Sequence, residues 1–499
     1  MLGADFVLEM AREHLGTGDT GMVIADLKPV WLMSPLSVSD TLPLDTGTFD
    51  VVIFDEASQI PVEEAVPALH RAPMTIVVGD RQQLPPTDFF STKAEQTEDD
   101  DDPGRDDADD AALELDSDSF LTQAAGNLPG TLLSWHYRSR SETLISFSNA
   151  AFYDGRLLTI PDSAVPRVLP PIRIADATDG DANAPRVLER PIGFHLLDRS
   201  PYEDRRNPGE ATYIARLVRA LLKAETGQSI GIVAFSQAQQ GQIETALADL
   251  ATDDPDFASR YERELTREED DQFCGLLVKN LENIQGDERD IIIVSICYGP
   301  DATGKMLMNF GPINKSGGER RLNVVFSRAK RHMVVVSSIR HTAITNEYND
   351  GANCFRRYLE FSAAASEGDV TSVRRVLESY APQLARPSAR GTSSRGAVAE
   401  ALATALKARG LDVAFDVGDS HFRCDLAVRR PGSSAAPLGL LVDTDAQYET
   451  TSPLERWVLR PELLRQAGWR STPVLARDVQ QDPDATVAGL VRLVASASE

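Results

Sequence analysis

The string VVIFDEASQ (51–59) sets four apolar residues ahead of two adjacent carboxylates. Such a run reads as a buried strand, and open α/β sheets receive ligands beyond the carboxyl ends of their strands. There one carboxylate can hold Mg²⁺ through water while its neighbour orients an attacking water, as nucleoside-triphosphate hydrolysis requires. Asp55 takes the first role and Glu56 the second. A capped turn has the same composition, so the pair gains weight from the next strand, which ends in VVGDRQQLPPT (77–87). Gly79 and Asp80 turn sharply there, Gln83 offers an amide that can sense a γ-phosphate, and Pro85-Pro86 stiffen the exit. A second set of acids lies near the C-terminus. HFRCDLAV (421–428) places Asp425 inside an apolar strand, and LGLLVDTD (438–445) ends another on Asp443 and Asp445. Carboxylates at neighbouring strand ends suit a Mg²⁺ site for phosphodiester hydrolysis.

The elements that must position these groups follow an α/β rhythm. MVIADL (22–27), VVIF (51–54) and MTIVVG (74–79) alternate with helical patterns, as in a parallel sheet with crossover helices. A second stretch opens at TLLSWHYRS (131–139), with strands expected at IGIVAF (230–235), DIIIVSICY (290–298) and HMVVVSSI (332–339). Between them ATYIARLVRALLKAE (211–225) reads as an amphipathic helix. The breaker-rich segment APQLARPSARGTSSRG (381–396) reads as a linker. The helix, strands and acids beyond it form a small α/β unit expected to fold on its own.

With 499 residues the chain has room for about three domains. Its net charge of −26 argues against a broad basic surface that coats nucleic acid. The acid is concentrated, however: residues 95–118 hold thirteen acids and one Arg, a solvated insertion that leaves a local basic channel open. No apolar run reaches the ~18 residues of a membrane span, and the start, MLGADFVLEMAREHL, carries acids within its apolar stretch, unlike a signal peptide. Four scattered cysteines without a CxxC pair indicate a reducing cytoplasm and no zinc site.

The DEASQ and GDRQQLPP strings together resemble the Walker B box and following motif of superfamily 1 helicases, and further motifs follow in that family's order. HYRS (136–139) resembles the motif whose Arg reaches the ATP site, which makes Arg138 an arginine finger. GIVAFSQAQ (231–239) resembles the strand-plus-Gln motif, carried here by Gln239. ENIQGDERDIIIVS (282–295) resembles the QGxExD box, in which Gln285, Gly286 and Glu288 couple nucleotide to nucleic acid. RRLNVVFSRAKRH (320–332) resembles the last motif, with Arg328 as second finger. LKPVWLMSPLSV (27–38) resembles the segment before Walker B in a bacterial group of these helicases, where Ser34 would contact phosphate. The wording resembles the 5′-to-3′ branch that holds RNA-surveillance and flap-processing helicases.

The resemblance implies two RecA-like parallel-sheet domains: an incomplete first one over residues 1–130, with the acidic insertion at 93–119, and a second over 131–355. A helical segment and linker (356–396) would follow, then a restriction-endonuclease-like domain (397–499) of the PD-(D/E)xK kind, with Glu400 as its helix acid. It also implies ATP and Mg²⁺ as cofactors, single-stranded nucleic acid as partner with DNA ahead of RNA, and no membrane. Trp31, Trp135, Tyr137 and Phe235 could stack bases or fill cores. Two departures matter. No GxxxxGK[ST] precedes Asp55, and the GxxxxGK spacing in GPDATGKM (299–306) puts Met306 where a Mg²⁺-binding hydroxyl belongs, so it reads as a loop. The chain thus reads as the later part of a longer helicase, inactive alone or completed by an upstream P-loop-bearing polypeptide. In the C-terminal unit Leu441 and Val442 stand where the family has Glu. A non-catalytic nucleic-acid-binding or assembly protein with decayed sites is the alternative.

Overall fold

The computed structural model describes residues 27–44, 49–86, 119–162, 168–198, 200–270, 272–382, 394–433, 436–443 and 452–496. All but Leu27 of the strand expected at 22–27, the acidic stretch to residue 118, most of the linker, and Asp445 lie outside the described residues. The chain divides into two compact units, residues 1–132 and 133–499, each described by itself.

In the first unit, strand β1 (Val51–Phe54) pairs in parallel with β2 (Met74–Val77). Helices α1 (Pro35–Thr41), α2 (Val62–Leu69) and α3 (Phe120–Asn127) accompany them. Phe54, Ala57, Ala65, Ala68 and Phe120 form the small core. Arg71 is buried beside it, and its guanidinium donates to the carbonyls of Leu42 (2.7 Å), Pro43 (3.0 Å) and Pro67. A forked donor of this kind satisfies several backbone acceptors at once.

The second unit is built on six parallel strands: β3 (Ile172–Ile174), β4 (Ile192–Leu197), β5 (Ile230–Ala234), β6 (Leu277–Asn280), β7 (Arg289–Ser295) and β8 (Ala329–Ser337). Their spatial order is β3-β4-β8-β7-β5-β6. Every residue of β4 and β5 is buried, as the continuous apolar runs of a sheet covered on both faces require. Helix α4 (Thr143–Phe152) precedes the sheet. Helix α5 is Gly180–Leu188, and α6 (Pro208–Lys223) starts at an Asn207 cap, has Pro at its first position and buries Ile214, Leu217, Val218 and Leu221 in the sheet core. Helix α7 (Gln237–Asp253) follows β5 and α8 is Pro255–Leu265. Helix α9 (Gly318–Phe326) precedes β8, and α10 (Asp350–Glu367) and α11 (Val370–Tyr380) follow it.

Beyond the linker, helix α12 (Ser394–Ala408) leads into β9 (Asp412–Val417), β10 (Cys424–Arg429) and β11 (Leu438–Val442), an antiparallel meander. A π-turn (Glu455–Leu459) and α13 (Arg460–Gln466) then cross to β12 (Arg470–Val474), which runs parallel to β11. This sheet docks on the segment around α4. The Trp469 indole donates to the Pro161 carbonyl (2.7 Å), Phe422 packs edge-on against Trp135 (5.3 Å), and Ser420 Oγ accepts the Thr159 amide (3.2 Å). The linker composition carries no sign of these contacts, because they join residues about 260 to 310 positions apart. No helix among the described residues is long and apolar enough to cross a membrane.

Truncating the buried Trp469 removes both packing and a satisfied indole N–H. Trp469→Ala is expected to cost about 3–5 kcal/mol, whereas Leu459→Ala, 46% exposed, should stay within roughly 0.5 kcal/mol. Chemical denaturation of the two variants checks this, and equal losses would remove Trp469 from the core of the junction.

Candidate functional site

The two carboxylates expected to serve a nucleotide leave β1 at its carboxyl end, and both are exposed. Asp55 Oδ1 accepts the Glu56 amide (2.9 Å), and Glu56 itself sits at φ 50°, a left-handed conformation that costs a residue with a side chain. The turn is closed by Ala57 donating to the Val78 carbonyl (2.9 Å) and Val78 to that of Phe54 (2.8 Å). Gly79 permits that approach: a Cβ there would lie 3.1 Å from the amides of Ala57 and Ser58. Asp80 Oδ1 accepts the Gln82 amide (2.8 Å) and its Oδ2 accepts from Gln83 Nε2 (3.1 Å), so the Gln83 amide is aimed by a carboxylate three residues before it. Asp55, Glu56, Gly79, Asp80 and Gln83 therefore gather at one end of the β1–β2 pair. Ser34 is spent otherwise. Its Oγ accepts the Ser37 amide (3.1 Å) as the cap of α1.

The second unit collects its charged groups at the amino ends of β7 and β8. Glu288 immediately precedes β7 and Arg328 immediately precedes β8. Arg138 Nε donates to Glu288 Oε2 at 2.6 Å, and Lys330 Nζ lies 2.8 Å from Glu288 Oε1. Burial alone would raise the Glu288 carboxyl, but the Lys330 hydrogen bond and the Arg138 and Lys330 charges outweigh it and hold it below its usual range. Lys330 was not singled out in the sequence, although it lies two residues past Arg328. Arg138 is presented by a turn built on a neutral imidazole. Burial and the Arg138 charge lower His136 to about 4, and its Nε2 accepts the Ser139 amide (3.1 Å). Tyr137 between them is 90% exposed.

Gly286 turns at φ +87° with open space around it, so its glycine answers to backbone conformation rather than crowding. The amide group of Gln285 is shielded from solvent and has no hydrogen-bond partner among the described residues. Arg328 is 3% exposed and donates from Nε to the Val324 carbonyl (2.7 Å), within its own helix turn.

Gln239 belongs to the opposite, carboxyl edge of the sheet. It is fully buried: Oε1 accepts the Asn207 amide (2.7 Å), and Nε2 donates to the Asn207 carbonyl (3.1 Å) and to Ser295 Oγ (3.0 Å). Glu210 joins the same network and went unnoticed in the sequence. Its Oε2 accepts from Ser295 Oγ (2.8 Å) and the Cys297 amide (2.9 Å), and its Oε1 accepts from Ser338 Oγ (2.9 Å). Burial raises its carboxyl to about 7 against these donors. The four proposed stacking rings separate as well. Phe235 is buried, Trp135 packs on Phe422, Trp31 is half-buried and edge-on to Phe49 (5.8 Å), and Tyr137 faces solvent.

The GPDATGKM segment is a capped loop. Asp301 Oδ1 accepts the amides of Thr303 (2.8 Å) and Lys305 (3.0 Å), so amides that a phosphate would need are already engaged. In the C-terminal unit Asp425 Oδ2 accepts the Val442 amide (2.8 Å), which places Asp425 beside the end of β11, one residue from Asp443. Asp443 Oδ1 accepts the Ala476 amide, and Glu400 is exposed on α12. No group of three or more His, Cys, Asp or Glu among the described residues is arranged to hold a metal ion. The four cysteines are free thiols.

Residues 33–90 and 118–340 each match an AAA domain family. The chain is 33% identical over 313 residues to an uncharacterized ATP-dependent helicase of Mycoplasma genitalium, covering 62% of this chain and 25% of that one. It is 24% identical over 299 residues to the DNA-binding protein SMUBP-2 of Mesocricetus auratus, covering 60% and 26%. It is 24% identical over 317 residues to the DNA replication ATP-dependent helicase/nuclease dna2 of Schizosaccharomyces pombe, covering 60% and 19%. The chain spans about a quarter of the length of the first curated relatives it matches.

The buried Glu210 carries a pH signature. Its folded value of about 7 stands above its ordinary 4.5, so its contribution to stability is complete below 4.5 and is lost as pH rises toward 7. The decline is on the order of 3 kcal/mol. Urea denaturation from acid to neutral pH is expected to show it, and Glu210→Gln should flatten that part of the profile. A second test concerns Gly286, where Ala is expected to cost about 1–2 kcal/mol through backbone strain, read by the same denaturation.

Proposed function

We propose, on the kinship of residues 33–340 with ATP-dependent superfamily 1 helicases, that this chain is the later part of a helicase motor that couples ATP hydrolysis to movement on single-stranded nucleic acid, DNA ahead of RNA. The observation that carries the reading is the pair of edge sites: acids and an aimed amide at the end of β1–β2, and Arg138, Glu288 and Arg328 at the amino edge of the six-stranded sheet. Bound ATP–Mg²⁺ would supply the electrophilic phosphoryl group and its charge. Asp55 would hold the cation and fits it, being an exposed hard-oxygen donor. Glu56 would orient the attacking water, Gln83 would sense the γ-phosphate, and Arg138 and Arg328 would neutralise charge on the transferring group. Arg138 is roughly one-third exposed and held by the Glu288 ion pair and a long hydrogen bond to the Ser327 carbonyl (3.4 Å), contacts that suit a finger that must transfer to phosphate.

For the C-terminal unit the order α12-β9-β10-β11-α13-β12 supports a restriction-endonuclease-like fold, with Asp425, Asp443 and Glu400 as its metal residues. Against nuclease activity stand the backbone hydrogen bonds that Asp425 and Asp443 accept. This geometry favours a second reading of that unit as a non-catalytic binding or assembly module.

Electrostatic stabilisation acts only on phosphates fixed in place. The 499-residue chain alone is therefore expected to show negligible nucleic-acid-stimulated ATPase activity, and a P-loop-bearing segment, fused or supplied in trans, should restore it. Glu56→Gln should then abolish turnover, while Lys305→Ala leaves it unchanged. Turnover by the chain alone that Lys305→Ala stops would overturn the reading. For the nuclease assignment, Mn²⁺ should raise the melting temperature of the chain and Asp425→Asn should cancel the rise. No rise favours the non-catalytic module.

A further inference from the structure

The turn that presents Arg138 has two anchors, and they come from different parts of the second unit. On one side stands the six-stranded sheet. Arg138 reaches Glu288 (2.6 Å) and the Ser327 carbonyl (3.4 Å), and the Arg140 amide donates to the Lys330 carbonyl (2.7 Å). On the other side, the residues before Arg138 form a short parallel bridge with Leu158. The His136 amide donates to the Leu158 carbonyl (3.0 Å), and the Leu158 amide donates to the Ser134 carbonyl (2.6 Å).

The C-terminal sheet covers that bridge. Trp135, Leu158 and Ile160 pack against a cluster that includes Phe422, Leu464 and Trp469. The Phe422 ring meets Trp135 edge-on with centroids 5.3 Å apart, and the Arg460 guanidinium lies 5.2 Å from the Phe422 ring centre. Trp469 donates to the Pro161 carbonyl (2.7 Å), and the Ser420 amide donates to Glu142 Oε1 (3.1 Å) at the start of α4. A bridge of one residue pair has little stability of its own. Without the C-terminal sheet, Trp135, Leu158 and Ile160 would return to water and the hydrogen bonds of the bridge would lose their apolar cover.

We infer that the C-terminal sheet is a positioning element of the motor: Phe422 and Trp469 hold Trp135 and Pro161, and through them the turn that carries Arg138. The inference rests on the reading of Arg138 as a finger, since a guanidinium displaced by about 1 Å from a transferring phosphoryl group forfeits much of its effect. Phe422 and Trp469 act only through the bridge. This role asks for no metal in the C-terminal unit, so it agrees with the backbone hydrogen bonds that Asp425 and Asp443 accept. His136 reports on the same turn. Its Nε2 accepts the Ser139 amide (3.1 Å), and burial first, with the Arg138 charge after it, lowers the ring to about 4. A turn that swings into solvent releases both constraints, and the ring returns toward its ordinary 6.5.

Phe422→Leu keeps an apolar side chain and removes the ring that faces Trp135. Hydrogen exchange of the full variant chain should show peptides over 134–140 and 157–160 losing protection by roughly two- to tenfold. Peptides over β8 and β10 should keep theirs. By NMR the wild-type His136 ring should stay neutral between about pH 5.5 and about pH 8, whereas in Phe422→Leu it should titrate within that range. Unchanged exchange over 134–140 with an unchanged ring overturns the inference. Equal losses over β8 and β10 overturn it as well, because Phe422 then serves the cores and not the turn. Should Phe422→Leu fail to fold, Trp469→Phe keeps an aromatic ring but loses the indole N–H, and a wild-type profile over 134–140 in that variant overturns the inference equally. With a P-loop-bearing segment supplied, Phe422→Leu should lower kcat roughly tenfold at unchanged KM for ATP. It should add nothing in an Arg138→Ala background, and full additivity there overturns the inference. A wild-type assembly without ATPase activity instead sinks the motor reading, and the exchange profiles then decide whether the C-terminal sheet holds the turn.

Discussion

A parallel sheet must be covered on both faces, and most of what this molecule can do follows from that requirement. In the six-stranded sheet the central strands β7 and β8 lie between apolar layers, so their side chains pack and cannot reach a ligand. Chemistry is confined to the strand ends. The amino ends of β7 and β8 carry Glu288, Arg328 and Lys330, while the carboxyl ends of β5 and β7 carry the buried Gln239–Asn207–Glu210–Ser295 network. One edge holds charges that can exchange partners, and the other holds hydrogen bonds that cannot be exchanged without exposing a carboxyl. The β1–β2 pair shows the same requirement from the other side. Val51, Ile53, Met74 and Ile76 lie on one face and are 38%, 63%, 56% and 45% exposed, so the described part of that unit leaves an apolar face uncovered.

The two kinds of carboxylate differ in energetic consequence. Glu288 and Arg138 are each roughly one-third exposed, where solvent screens an ion pair and little stability rides on it. Their contact can be broken at small cost. Glu210 and Glu142 are withdrawn from water and meet hydroxyls and amides instead of cations, so their protonation state is tied to the integrity of the structure around them.

Much of the fold was legible because short-range pattern decides it. The runs VVIF, IGIVA, DIIIVS and HMVVVS became strands within a residue or a few of the expected limits, and the helix expected at 211–225 is α6, which starts three residues earlier at Pro208 behind its Asn207 cap. The C-terminal helix-and-strand order was readable for the same reason. Long-range contacts were not. The docking of Trp469 on Pro161 and of Ser420 on Glu142 joins segments whose local composition is that of ordinary loop and cap. Glu210 lies just outside the helix expected at 211–225, and the ends of β7 and β8 supply the hydroxyl and amide donors around it. Trp135 and Tyr137, two residues apart, illustrate the limit: one is half-buried against Phe422 and the other is 90% exposed, a difference no spacing rule separates.

That limit also bears on how a motif is read. Gln239 matches a motif by type and position, yet its amide works as a backbone surrogate, pairing with both the N–H and the C=O of Asn207 much as a neighbouring strand would. The glutamine is needed there because only a primary amide offers a donor and an acceptor in one plane. Arg328 is the converse. A guanidinium is chemically apt for phosphate, but here its Nε is bonded to Val324 in a buried turn. A role for it at a phosphate therefore demands movement of the turn that joins α9 to β8, whereas Arg138 is held by the Glu288 ion pair and a long contact to the Ser327 carbonyl (3.4 Å). Of the two arginines, Arg138 is the one whose charge is met by a partly exposed carboxylate, and Lys330 holds the other oxygen of that same Glu288.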